Sequence, residues 1–267
     1  MNFNKILRVA LACILMFSCL SFLTIEANAQ EVLKPINKNA EITLDLTEDN
    51  VTPQGKASTK GIRLPNAVTT RLIPSDTGLT IKVNNIGVDT IDSITVKIKT
   101  PGIYTKKNKG NITKTKTVTF TNVFPGITKT KTMNIPMVRS KMTYKGTVTS
   151  KDSGKKVTST ASASREFSTD QLSQVWLKGN SKTLRDAVDY HFGKHYDDKY
   201  IRVTNLSQYL KKATNDWKAM KNIKKSNSKY NVRINTDKNE IKVKNNNTKR
   251  YIIINKSNKK LYSYGGN

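Results

Sequence analysis

The chain has 267 residues, with 47 Lys and Arg against 19 Asp and Glu and a formal net charge of +28. An imbalance of that size speaks to partners more than to fold: nucleic acid, anionic lipid and teichoic-acid-type wall polymer all fit, with plain solubility as the bland alternative. Only two Cys and two His are present, which leaves thiol chemistry and histidine-rich metal sites little to draw on.

Residues 1–29 read as a secretory signal. A basic start (Lys5, Arg8) precedes the apolar run "VALACILMFSCLSFL" at 9–23, and Ala27-Asn28-Ala29 offers a small-x-small cleavage site before Gln30. A lipidated Cys19 is opposed by the Met16-Phe17-Ser18 approach. Cys13 and Cys19 both lie in this segment, so the exported chain has neither disulfide nor thiolate, a composition that suits a Gram-positive exporter. The mature protein, about 238 residues with a charge of about +27, is expected outside the cell or on its wall. No later run reaches membrane length.

From residue 40 to 167 the pattern has period two and no helix. Segments 41–46, 79–86, 93–100, 116–123, 130–137, 142–150 and 155–167 alternate, with Thr and Val prominent. Ser75-Asp76-Thr77-Gly78, Pro101-Gly102, Pro125-Gly126 and Ser153-Gly154 mark turns between them. Short strands at that spacing predict an N-terminal all-β domain, an antiparallel sandwich of immunoglobulin-like type spanning 30–167. It has no His and few acids, which suits display or delivery.

The period changes at Ser168, which caps a predicted helix in "TDQLSQVWLKG" that Gly179-Asn180 stops. A second helix follows in "SKTLRDAVDYHFGKHY" and a third over 205–222, with Trp176 and Trp217 on their apolar stripes. Four short strands close the chain: "KYNVRINT", "EIKVKN", "RYIIINK" and "KKLYSYGG". Helices and then a four-stranded antiparallel meander predict a basic α+β domain over 168–267. Residues 171–267 hold 22 Lys and Arg against 7 Asp and Glu. Most of the Tyr and both Trp also fall there, and aromatics among cations suit nucleic acid, since bases stack while phosphates are neutralised.

Both His, at 191 and 195, stand in "DYHFGKHYDDKY". Four-residue spacing can ligate zinc, but no third ligand is visible and no metal or other cofactor is expected. No nucleophile-elbow signature accompanies them. A His with ordinary pKa near 6.5 can instead exchange protons with a ribose 2′-hydroxyl while Lys or Arg neutralises the phosphorane. The plain reading makes His191 a half-buried helix residue and His195 a surface one. Gly193 predicts a helix end that leaves His195 on the following loop.

"HFGKH" followed by "YLKKATNDW", with the closing "NNTKRYIIINKSNKKLYSYGG", resembles the C-terminal domains of bacterial polymorphic and contact-dependent toxins. Those domains belong to the barnase/EndoU/colicin/RelE-like ribonuclease superfamily. The resemblance covers about 100 residues and implies a secreted toxin that cleaves RNA without a metal and is neutralised by a cognate acidic immunity protein. It implies His195, Arg233 and Ser263 as catalytic, and Lys194, His191, Tyr264, Lys249 and Arg250 as substrate-binding. Tyr196 after K-H and Asn258 at the usual hairpin Gly depart from the pattern, and the terminal Pro is missing. The rival expectation is a non-enzymatic module that binds anionic wall polymer or a membrane surface.

Overall fold

The computed structural model describes residues 35–38, 68–105 and 113–266. The expected signal segment 1–29 and strand 41–46 lie outside them. The described chain is mostly β, in antiparallel sheets, with α-helices confined to its C-terminal part.

The first part contains β1 (Ile36–Lys38), β2 (Val68–Pro74), β3 (Leu79–Asn85), β4 (Ile91–Pro101), β5 (Thr113–Val123), β6 (Thr128–Met133), β7 (Lys141–Asp152) and β8 (Lys155–Glu166). They form a five-stranded sheet in the order β1-β8-β7-β4-β5 and a three-stranded sheet in the order β2-β3-β6. Inward residues alternate as period two requires: Leu79, Ile81 and Val83 on β3, and Ile94, Val96 and Ile98 on β4, are all essentially inaccessible. Strand β2 lies against β7 and β8 of the other sheet, and β6 against β5. Leu72 and Ile98, from opposite sheets, close on the bare backbone of Gly146, which marks the shared core. Strand β2 is an addition to the sequence reading. Its inward set of Val68, Thr70, Leu72 and Pro74 mixes polar and ring-constrained residues, a weak apolar signal.

The second part contains α1 (Thr169–Val175), α2 (Leu184–His195) and α3 (Leu206–Met220), then β9 (Tyr230–Asn235), β10 (Glu240–Asn245), β11 (Arg250–Asn255) and β12 (Leu261–Gly266). The four strands form one antiparallel sheet in the order β12-β11-β10-β9. Ser168 and Thr183 each start a helix with a reciprocal capping box, to Gln171 and Asp186. Helix α1 ends at Val175, before Gly179, because Trp176 leaves it to bridge to Leu261. Trp176 is core. Trp217 is only half-buried: its indole N–H donates to the Lys259 carbonyl at 2.6 Å, and Lys221 lies 3.9 Å over its ring.

Gly193 does not end α2, contrary to the sequence expectation. The helix continues to His195, and the glycine serves a close approach: a Cβ there would lie 1.8 Å from the Tyr104 carbonyl oxygen. The first turns of α2 are also tied to the β-rich part. Asp189 accepts the Ser140 N–H at 2.6 Å and pairs with Arg139 at 3.7 Å, and Arg185 donates to the Ser140 carbonyl at 2.9 Å. Burial pushes the Asp189 carboxyl up to about 6 against the pull of Ser140 and Arg139. These ties hold α2 against the β-rich part, while His191 and His195 face the C-terminal sheet through Ser263 and Tyr251.

Candidate active site

Strand parity gives the C-terminal sheet two unlike faces. Val243, Ile252, Ile254, Leu261 and Tyr264 are fully buried on one. The cross-strand pairs Arg233–Lys242, Lys242–Ile253, Ile253–Ser263, Asn231–Lys244, Lys244–Tyr251 and Tyr251–Gly265 make up the other. Helix α2 borders this second face, and its four-residue spacing puts His191 and His195 one turn apart toward β11 and β12.

His195 sits in the last turn of α2, 6% exposed, not on a loop. Its Nδ1 is 3.3 Å from Asp198 Oδ2. Asp198 also accepts the N–H groups of Tyr200 at 2.8 Å and Gly266 at 2.9 Å. Burial opposes ionisation of Asp198, but those N–H groups and His195 outweigh it and hold the carboxyl below its ordinary value. A carboxylate acceptor places the imidazole proton on Nδ1 and leaves the Nε2 lone pair free. Nε2 lies 3.5 Å from the Tyr251 hydroxyl, and the two rings meet edge to face. Burial lowers the His195 pKa and Asp198 only partly restores it, so the neutral imidazole persists below pH 6.5. The ring rests on the backbone of Gly265, where a Cβ would fall 2.3 Å from Cε1.

Ser263, 7% exposed, sits on the neighbouring strand with its Oγ 3.3 Å from His191 Nδ1. The Tyr251 phenol, raised in pKa by burial, also meets the Ser263 hydroxyl. Burial, then the nearby His195 and Lys194, hold the His191 pKa down to about 4. Asp198, His195, Tyr251, Ser263 and His191 thus form one connected polar series. Lys242 lies 4.2 Å over the Tyr251 ring. Its pKa is lowered by burial first and then by Arg233, Lys244 and Lys194, which places four cations in one field.

Of the residues singled out from sequence, His195, His191, Ser263, Lys194 and Arg233 come together on this face. Tyr264, Arg250 and Lys249 do not. Tyr264 follows Ser263 and Arg250 precedes Tyr251, so alternation turns both to the opposite face. There Arg250 forks onto Asp216 of α3 at 2.6 and 3.0 Å, and the Tyr264 hydroxyl donates to the same carboxylate at 2.9 Å. Lys249 is exposed on the β10–β11 turn with φ of 60°. Asp198, Tyr251 and Lys242 were missed. Asp198 carries a faint signal as an acid three residues beyond His195, and Tyr251 and Lys242 follow from parity once Ser263 is chosen.

Beside the Ser263–His191 pair opens a cleft of about 760 Å³. Among the described residues no group of three or more His, Cys, Asp or Glu could hold a metal ion, and no helix is long and apolar enough to cross a membrane. No family model matches the chain, and comparison with curated proteins and with solved structures finds no match either.

Proposed function

We propose that the protein is a secreted bacterial toxin whose C-terminal part, residues 168–267, cleaves RNA of competitor cells without a metal. The observation that carries this reading is the Asp198–His195–Tyr251–Ser263–His191 series lying beside Arg233, Lys242, Lys244 and Lys194. A proton-accepting system next to a cationic field is what transfer of a ribose 2′-oxygen to its neighbouring phosphorus needs. His195 is shielded by Tyr251, so the Tyr251 oxygen takes the 2′-hydroxyl proton while its own proton passes to His195 Nε2. The 2′-oxygen bonds to phosphorus, and Arg233 and Lys242 neutralise the phosphorane. Lys242, made a better acid by burial and like charges, protonates the leaving 5′-oxygen.

The β-rich part, residues 30–167, serves display or delivery after cleavage of segment 1–29. Its chain order supports an immunoglobulin-like reading: β2 and β3 in one sheet, β4 and β5 in the other, β6 back in the first, β7 and β8 in the second. The producer keeps an acidic immunity protein that covers the basic face by charge complementarity.

The test keeps residues 30–267 together, because α2 is anchored on Ser140 and Arg139. Purified protein is mixed with total RNA in a chelator, and His195→Ala is expected to slow cleavage by about 100-fold or more. Intact RNA with the unmutated protein defeats the reading. Retention on teichoic acid, with RNA left whole, favours a wall-polymer binder.

A further inference from the structure

A β-bulge decides where Tyr262 points. Ile253 pairs with Ser263 and Ile254 with Leu261, so Tyr262 is the extra residue of β12. The bulge breaks alternation, and Tyr262 and its neighbour Ser263 both line the cleft of about 760 Å³ beside the polar series. Asn255 Nδ2 donates to the Tyr262 hydroxyl at 2.8 Å. Asn255 is itself fixed, since its Oδ1 accepts the N–H groups of Ser257 at 2.9 Å and Asn258 at 3.0 Å. The phenol ring is therefore positioned before any ligand arrives. His191, Tyr190, Asn180, Ser181 and Glu240 complete the neutral and acidic polar lining, and Lys178 and Lys238 add two cations suited to a phosphate-bearing ligand. A rigid ring, a neutral imidazole and a carboxylate around a cleft of this size fit a flat heteroaromatic group that carries hydrogen-bond donors on its edge.

We propose that this cleft is a nucleobase subsite: the base next to the cleaved bond stacks on Tyr262, and the Glu240 carboxylate accepts a hydrogen bond from its exocyclic amine. The inference rests on the ribonuclease reading and names the part of the substrate that gives it specificity. A carboxylate offers only acceptors, so it pairs with the amine of adenine, cytosine or guanine and repels the uracil O4 in the corresponding place. Ser263 and His191, 3.3 Å apart, hold the boundary between the base and the reacting phosphate.

Short oligoribonucleotides that differ in one base, placed 5′ or 3′ of the cleaved bond, test this with the 30–267 protein. Uracil at the subsite position is expected to lower kcat/KM about tenfold relative to cytosine. Glu240→Gln should erase that difference while cleavage persists. Tyr262→Ala should raise KM for every base, and Tyr262→Phe, which keeps the ring, should restore most of it. Equal rates for all four bases, or a preference that both Glu240→Gln and Tyr262→Ala leave unchanged, would overturn the subsite. If no oligonucleotide is cut, the ribonuclease reading falls separately. Calorimetry with cytidine and uridine 3′-monophosphates then decides the subsite. A cytidine preference lost in Glu240→Gln supports it, and equal binding overturns it.

Discussion

The two faces of the C-terminal sheet use similar residues for opposite ends. On the α3 side stand a tyrosine, an arginine and an aspartate, Tyr264, Arg250 and Asp216, and each satisfies another. On the α2 side stand a tyrosine, a lysine and a His–Asp pair, and the cation there crowds against Arg233, Lys244 and Lys194. Burial raises the pKa of both tyrosines, but Asp216 pushes Tyr264 higher whereas Ser263 draws Tyr251 back. One face spends its polar groups on stability. The other crowds Lys242 against like charges and leaves the cations able to meet an anion. That contrast motivates the functional reading, and it can be broken from either side.

The largest effect is expected on the closed face. Asp216→Ala strips a half-buried guanidinium and a buried phenol of their shared acceptor. Arg250 keeps 25% of its side chain exposed, so the loss should be about 2–3 kcal/mol, below the range for a fully buried pair. Urea unfolding measures it, and an unchanged midpoint would show that Asp216 organises nothing. Asp198→Asn probes the open face and comes next. Neutral Asn no longer fixes the His195 tautomer, and RNA cleavage should fall about tenfold or more. The sign of the pH effect separates this from simple unfolding. Asp198 raises the His195 pKa, so its removal moves the acid limb of the rate profile further below pH 6.5. A limb that moved upward, or stayed in place with full activity, would remove Asp198 from the series.

Much of the frame could be read from the sequence because period-two alternation is a local signal. Strand β10 occupies the predicted 240–245, and the Ser75–Gly78 turn closes through the Ser75 N–H on the Gly78 carbonyl at 2.8 Å. The same alternation turns Ser263 toward His191 and Tyr264 toward Asp216, on opposite faces of the sheet. Other features depend on contacts far along the chain. Gly193 looks like a helix stop, yet it is there to admit the Tyr104 carbonyl from the β-rich part. Asp198 gains its place from Gly266, 68 residues later. The bulge at Tyr262 has no signature in "KKLYSYGG", since a register shift belongs to a strand pair and not to one strand.

The smallest effect distinguishes the faces through their cations. A cation that contacts phosphate releases counterions, and its removal lowers the slope of log affinity against log salt by about one. Lys242→Met should do so, measured by RNA binding with cleavage blocked by His195→Ala in both proteins. Arg250→Met, made in the same background, should leave the slope unchanged because Asp216 already neutralises that guanidinium. Stability should divide the other way. Arg250→Met leaves Asp216 without its cation and lowers the unfolding midpoint. Lys242→Met removes a charge that Arg233, Lys244 and Lys194 repel, so the midpoint should hold or rise by a few tenths of a kcal/mol. A cation kept where it does not help the fold needs a reason outside the fold, and RNA phosphate supplies one. If Lys242→Met lowered stability and left the salt slope intact, Lys242 would be structural and the open face would lose its claim to RNA.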